Sequence, residues 1–169
     1  MKYLLFLLLI LSAKLSAQTI TLYDLALIHN SNKLIDFEDV LMEKGFEIHT
    51  KANQYFNFGK GIDVYAFEKG YDQYAVAKLV KGEINLVTMF ITTEVEDYQY
   101  LKKDLIKNDF KFIRTEKINN FHVYENPDGI MAYLAVHTEG KVIAKNYYSI
   151  WVFDSANLEF ISKLRQIKK

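Results

Sequence analysis

The chain contains no cysteine. Disulfides, thiol nucleophiles and cysteine zinc sites are therefore excluded, and packing alone must hold the fold. A lipoprotein anchor, which needs a cysteine directly after the export cut, is excluded too. Charge of one sign is also missing, with 21 basic residues against 21 acidic ones. A nucleic-acid binder would carry a basic face or stripe. The one short basic cluster, Lys163, Arg165, Lys168 and Lys169, reads as the cationic end of a terminal helix. No apolar run reaches the roughly 20 residues of a membrane-spanning helix. Proline occurs once, at Pro127, inside the clearest turn signal, Pro127-Asp128-Gly129.

Catalytic signatures are equally scarce. His29, His49, His122 and His137 are spaced too widely for HExxH or a paired zinc motif. GxSxG and SxxK are missing. Gly59-Lys60-Gly61 has no strand-to-helix context, so it reads as a loop and not as a phosphate cradle. Carboxylates such as Glu94, Glu96 and Asp97 gather at an expected helix start, where negative charge suits the dipole.

What the chain does have begins at its first residues. Lys2, the apolar stretch from Leu4 to Leu11, and Ser16-Ala17 before Gln18 follow the order of a secretory signal peptide. The expected cut follows Ala17, which gives residues 1–17 as signal peptide. The expected location is extracytoplasmic, in periplasm or medium, with no membrane span after cleavage. Residues 18–169 then number 152, the size of a single domain. Loss of Lys2 and Lys14 leaves 19 basic residues against 21 acidic ones. Twelve Tyr and twelve Phe provide large surfaces to bury.

The residue pattern reads as one unit written twice. Phe37, Leu41, Met42, Gly45 and Phe46 align with Leu101, Leu105, Ile106, Asp109 and Phe110 at a shift of 64 residues. Ala77 and Gly82 align with Ala135 and Gly140 at a shift of 58. We expect repeat 1 over about 21–92, repeat 2 over about 94–153 and a C-terminal helix over about 155–166. Thr21 and Asp24 predict a capping box that opens a first short helix. Leu34, Phe37, Leu41 and Met42 predict a second, capped by Ser31 or Asn32 and stopped by Gly45. A third spans Glu94 to Asn108, with Leu101 and Leu105 inward. Short strands begin at Phe46 and Phe110. Longer ones are expected at Ile62–Glu68, Tyr74–Val80, Ile84–Thr92, Phe121–Glu125, Met131–Thr138 and Val142–Phe153. Lys81-Gly82, Pro127-Asp128-Gly129 and Glu139-Gly140 are hairpin signals, so the strands should form an antiparallel meander.

The expected fold class is α+β, with helices on one face of an antiparallel sheet. Strand alternation puts Ile84, Leu86, Phe90, Val142, Ala144, Tyr148 and Ile150 against the helices. Val87, Met89 and Ile91 take the other face, as do Lys145, Tyr147, Ser149, Trp151 and Phe153.

The helix exit Leu41-Met42-Glu43-Lys44-Gly45-Phe46, echoed from Leu105 to Phe110, resembles a pattern in uncharacterised exported bacterial proteins. The order helix-helix-meander then helix-meander is similar to the tandem-repeat architecture of the beta-lactamase inhibitory protein type. Envelope modules of the outer-membrane assembly lipoprotein type share part of it. The resemblance covers element order over most of residues 21–153, and it implies a shape that binds proteins through an exposed sheet. It carries over no functional residue, and this chain lacks the disulfides of the inhibitor type.

The expected function is an exported, non-enzymatic module that binds a protein partner in an inhibitor, immunity or envelope-assembly role, without cofactor or metal. Lys145, Tyr147, Trp151 and Phe153 are its candidate binding residues, with Tyr65 and Phe67 from a second aromatic hairpin. The alternative is a lipid- or glycan-binding protein with a cavity lined by Leu86, Phe90, Tyr148 and Ile150. An enzyme would need His122, His137 and a carboxylate to converge.

Overall fold

The computed structural model describes residues 20–49, 60–70, 74–117, 120–139 and 145–164. The expected signal peptide lies outside these residues, as do Val142, Ala144 and the Gly59 end of the Gly59-Lys60-Gly61 loop. Helix α1 spans Leu22–Asn30. It opens on the capping box foreseen in the sequence: Asp24 N–H donates to Thr21 Oγ1 (3.1 Å), and Thr21 N–H donates to Asp24 Oδ2 (2.7 Å). Helix α2 spans Leu34–Glu43, and its N-cap is Lys33, which makes no side-chain cap bond. The expected caps are occupied elsewhere. Ser31 Oγ donates back to Leu27 O at the end of α1, and Asn32 Oδ1 accepts from Asn85. Helix α3 spans Val95–Lys107 with Leu101 and Leu105 fully buried.

Both long helices leave by the same geometry. Gly45 and Asp109 adopt positive φ, and the next residue donates back to the same leucine: Phe46 N–H to Leu41 O, Phe110 N–H to Leu105 O.

Among the described residues, eight strands follow from the hairpin signals: β1 (Glu47–Ile48), β2 (Asp63–Lys69), β3 (Tyr74–Lys81), β4 (Ile84–Thr92), β5 (Lys111–Glu116), β6 (Phe121–Glu125), β7 (Ile130–Glu139) and β8 (Lys145–Asp154). All pairs are antiparallel, in the order β1-β2-β3-β4-β8-β7-β6-β5. Each half is a four-stranded meander. The halves meet at their last strands, where Thr88 to Thr92 pair with Val152 to Tyr148.

The sheet separates two apolar layers. On one face, α1, α2 and α3 bury Leu25, Ile28, Phe37, Leu41, Leu101 and Leu105 against Phe67, Val76, Phe90, Leu134 and Ile150. The other face, on which the sequence reading placed no helix, is covered in part by one. Asp154 accepts from Ala156 N–H (2.7 Å) and starts a 3-10 turn, which leads into helix α4 (Leu158–Leu164). Helix α4 buries Ile161 and Leu164 with Leu79, Val87, Val123, Tyr133 and Phe153. A chain that ends in an amphipathic helix has one uncovered apolar sheet face on which to bury it, so the helices fall on both faces.

Candidate functional site

The predicted binding residues divide. Phe153 is 0% exposed and Phe67 1% exposed. Phe153 packs edge-on to Tyr133 under α4, and Phe67 packs edge-on to Phe37 of α2. Burial takes both out of any contact surface. Tyr65 is half-buried on the face of α1–α3, edge-on to the same Phe37. It therefore stands on the opposite face from Trp151. Lys145 opens β8 opposite Glu139.

Tyr147 and Trp151 do come together with residues that the sequence reading treated singly. His137 pairs with Tyr147 across β7 and β8, and their rings stack at 4.7 Å. His137 Nε2 lies 2.9 Å from Ser149 Oγ, on the same side of the neighbouring strand. Phe121 meets His137 at 6.0 Å and Trp151 at 5.1 Å, both edge-on. Trp151, Tyr147 and His137 are half-buried, while Ser149 is buried. Beneath them, Tyr133 donates its hydroxyl to Glu116 Oε1 (2.9 Å), which also accepts from Arg114 Nη2 (2.8 Å). Burial pushes the Tyr133 phenol up, and Arg114 pulls the other way. The result is an aromatic band with hydrogen-bonding tips, set on rigid strands. Phe153 and Tyr147 are six residues apart on one strand, roughly 20 Å by strand rise. Tyr147 is thus far from the end of β8 that leads into α4.

His122 pairs with Leu134, which faces α1–α3, whereas His137 shares the α4 side with Ser149. The two histidines occupy opposite faces and do not converge. The residues expected to line a cavity between sheet and helices do not all share one layer. Phe90 and Ile150 are packed against helix residues, but Leu86 belongs to the opposite layer. The register shift between Leu79 and Val80 moves Leu86 across, because Val80 pairs with Asn85 while Leu79 pairs with Val87.

Elsewhere, a cavity of about 340 Å³ lies beside β1 and β2, lined in part by Glu47, His49, Glu68 and Lys69. Glu47 and Glu68 are direct cross-strand partners, and His49 Nε2 lies 3.9 Å from Glu68. Among the described residues, no three His, Asp or Glu side chains gather as a metal site.

Comparison with family models, with curated proteins and with solved structures finds no match. What the molecule does must therefore be argued from its own side chains.

Sequence reasoning missed one cluster entirely. Lys78 is 1% exposed beneath the end of α1. Its ammonium donates to the carbonyls of Ile28 (2.5 Å), His29 (3.2 Å) and Ser31, and lies 4.8 Å from the Phe37 ring centroid. Burial pulls its pKa down to about 8, against the Asp36 carboxylate. His29 beside it is pushed to about 4, first by burial and then by the Lys78 charge, with Asp154 opposing. Thr88 Oγ1 lies 3.4 Å from His29 Nδ1. The signal was present: in Val76-Ala77-Lys78-Leu79-Val80, alternation turns the lysine to the same side as Val76. With its donors taken by helix-end carbonyls, Lys78 is a cap supplied by a strand rather than a nucleophile.

Proposed function

We propose that the protein is an exported, non-enzymatic binding module that meets a protein partner through the β7–β8 region of its α4-side sheet face. The observation that carries this reading is the half-exposed aromatic group Tyr147, His137 and Trp151, braced by Phe121 and Ser149. Tyr and Trp dominate binding hot spots, each able to contribute about 2 kcal/mol or more. Strand-borne rings held by neighbours lose little entropy when a partner docks. Inhibitor, immunity and envelope-assembly roles all use contacts of this kind. Export rests on residues 1–17, and the mature N-terminus near Gln18 in the extracytoplasmic fraction is its check. We further read the halves 21–92 and 94–153 as copies of one unit, supported by the shared helix exit and the mirrored strand order.

The test places a photo-crosslinking amino acid at Tyr147 or Trp151 in the native envelope fraction. A second probe at Tyr23, 74% exposed on α1, is the control. We expect one discrete adduct from the two sheet positions and none from position 23. Equal labelling from all three sites would sink the reading.

A further inference from the structure

We propose that two copies of the chain join through antiparallel pairing of their β5 strands, giving one continuous sixteen-stranded sheet. β5 ends the strand order and pairs with β6 alone among the described strands. Five of its six residues are exposed, including Phe112 (53%) and Ile113 (46%). The opposite edge is a two-residue strand, too short to template another chain.

The sequence of β5, Lys-Phe-Ile-Arg-Thr-Glu, selects a second copy as occupant by charge complementarity. About a two-fold axis between Ile113 and Arg114, Lys111 stands opposite Glu116 of the second copy, and the pair occurs twice. Phe112 stands opposite Thr115, and Ile113 opposite the stem of Arg114. The faces agree. Lys111 pairs with Glu125 and so with Met131, and Glu116 accepts from Tyr133. Met131 and Tyr133 both belong to the α4-side layer, so Lys111 and Glu116 share a face. Phe112 pairs with Tyr124 and Thr115 with His122, both on the α1–α3 side. A two-fold axis perpendicular to the sheet preserves each face, so both pairings hold at once. An edge lysine and a bulge such as that between Phe112 and Arg114 ordinarily discourage edge pairing. Here the lysine, which already stands opposite Glu125 of β6 in its own chain, gains a second carboxylate in the self-pairing register. One strand pair is a small interface, so the dimer should be weak, with Kd of about micromolar order.

Sedimentation velocity on the purified protein up to about 200 µM should show reversible dimers. Lys111→Glu and Glu116→Lys should each weaken dimerisation, by about tenfold over the two contacts. An equimolar mixture of the two variants should recover it, because the mixed dimer restores an opposite pair at both contacts. A wild-type monomer at every concentration, or a mixture no better than its components, overturns the proposal. Glu116→Lys also removes an acceptor of Tyr133, so its fold is checked by circular dichroism. If it fails to fold, copies carrying Phe112→Cys are oxidised with copies carrying Thr115→Cys. The chain has no native cysteine. Preferential mixed disulfides support the register, and no preference overturns it.

Discussion

Lys78 and His29 show how much a single position can govern in this protein. The last carbonyls of a helix lack intrahelical donors, and in α1 a lysine from β3 satisfies two of them, at Ile28 and His29, together with the carbonyl of the C-cap Ser31. Lys78→Met keeps the stem and strands those acceptors. Urea unfolding should show a loss of about 2 kcal/mol, and an unchanged midpoint would mean that water replaces the ammonium at no cost. His29 makes stability depend on acid. Its folded pKa of about 4 lies below the usual 6.5. Between those values the unfolded chain binds a proton that the folded chain refuses, so stability falls as pH drops through this window. The loss from this group is at most about 3 kcal/mol. Urea midpoints from pH 7 to 4 should fall less steeply in His29→Gln than in the wild type. Parallel curves would acquit His29. At this scale the sequence was partly legible. Thr21 with Asp24 announced their capping box, because that pattern is local. Ser31 and Asn32 did not reveal their roles, because each is used by a neighbour: Ser31 closes the preceding helix and Asn32 accepts from Asn85 on a strand.

Elements were the most readable level, since apolar spacing and turn residues are short-range signals. Their limits appear where pairing intervenes. Leu86 was assigned by strict alternation to the helix side, and one register shift carried it to the other. Met42 fits the helical stripe of Phe37 and Leu41, yet it is 60% exposed because the stripe that meets the sheet is narrower than the apolar pattern. The paired helix exits allow a test with opposite signs. At Gly45 a Cβ would meet only the flexible end of Lys69, 3.7 Å away, so Gly45→Ala should cost about 1 kcal/mol from the positive φ alone. At Asp109 the same φ is borne by a side-chain residue, so Asp109→Gly should gain about 0.5 kcal/mol. Thermal melts of both variants decide this, and shifts of the same sign would show that the two exits differ in kind.

For the whole molecule, composition and element order were enough to read an α+β fold on an antiparallel sheet. They left open what covers each face. Alternation marks Phe153 as facing away from α1–α3 but is silent on whether solvent or α4 meets it. Tyr147 and Trp151 therefore remain in the candidate surface, while Phe153 and Phe67 belong to the two layers of the core. His137 and Ser149 joined the surface only through cross-strand neighbours that no linear motif records. The seam between β4 and β8 has a further bearing on how the chain matures. Thr88 waits for Val152, 64 residues later, before its outer edge is satisfied. Until then β4 is paired on one edge only, by β3, and Leu86, Val87 and Met89 lack the C-terminal half of their layer. A nascent chain consequently exposes this apolar strand edge until β8 emerges.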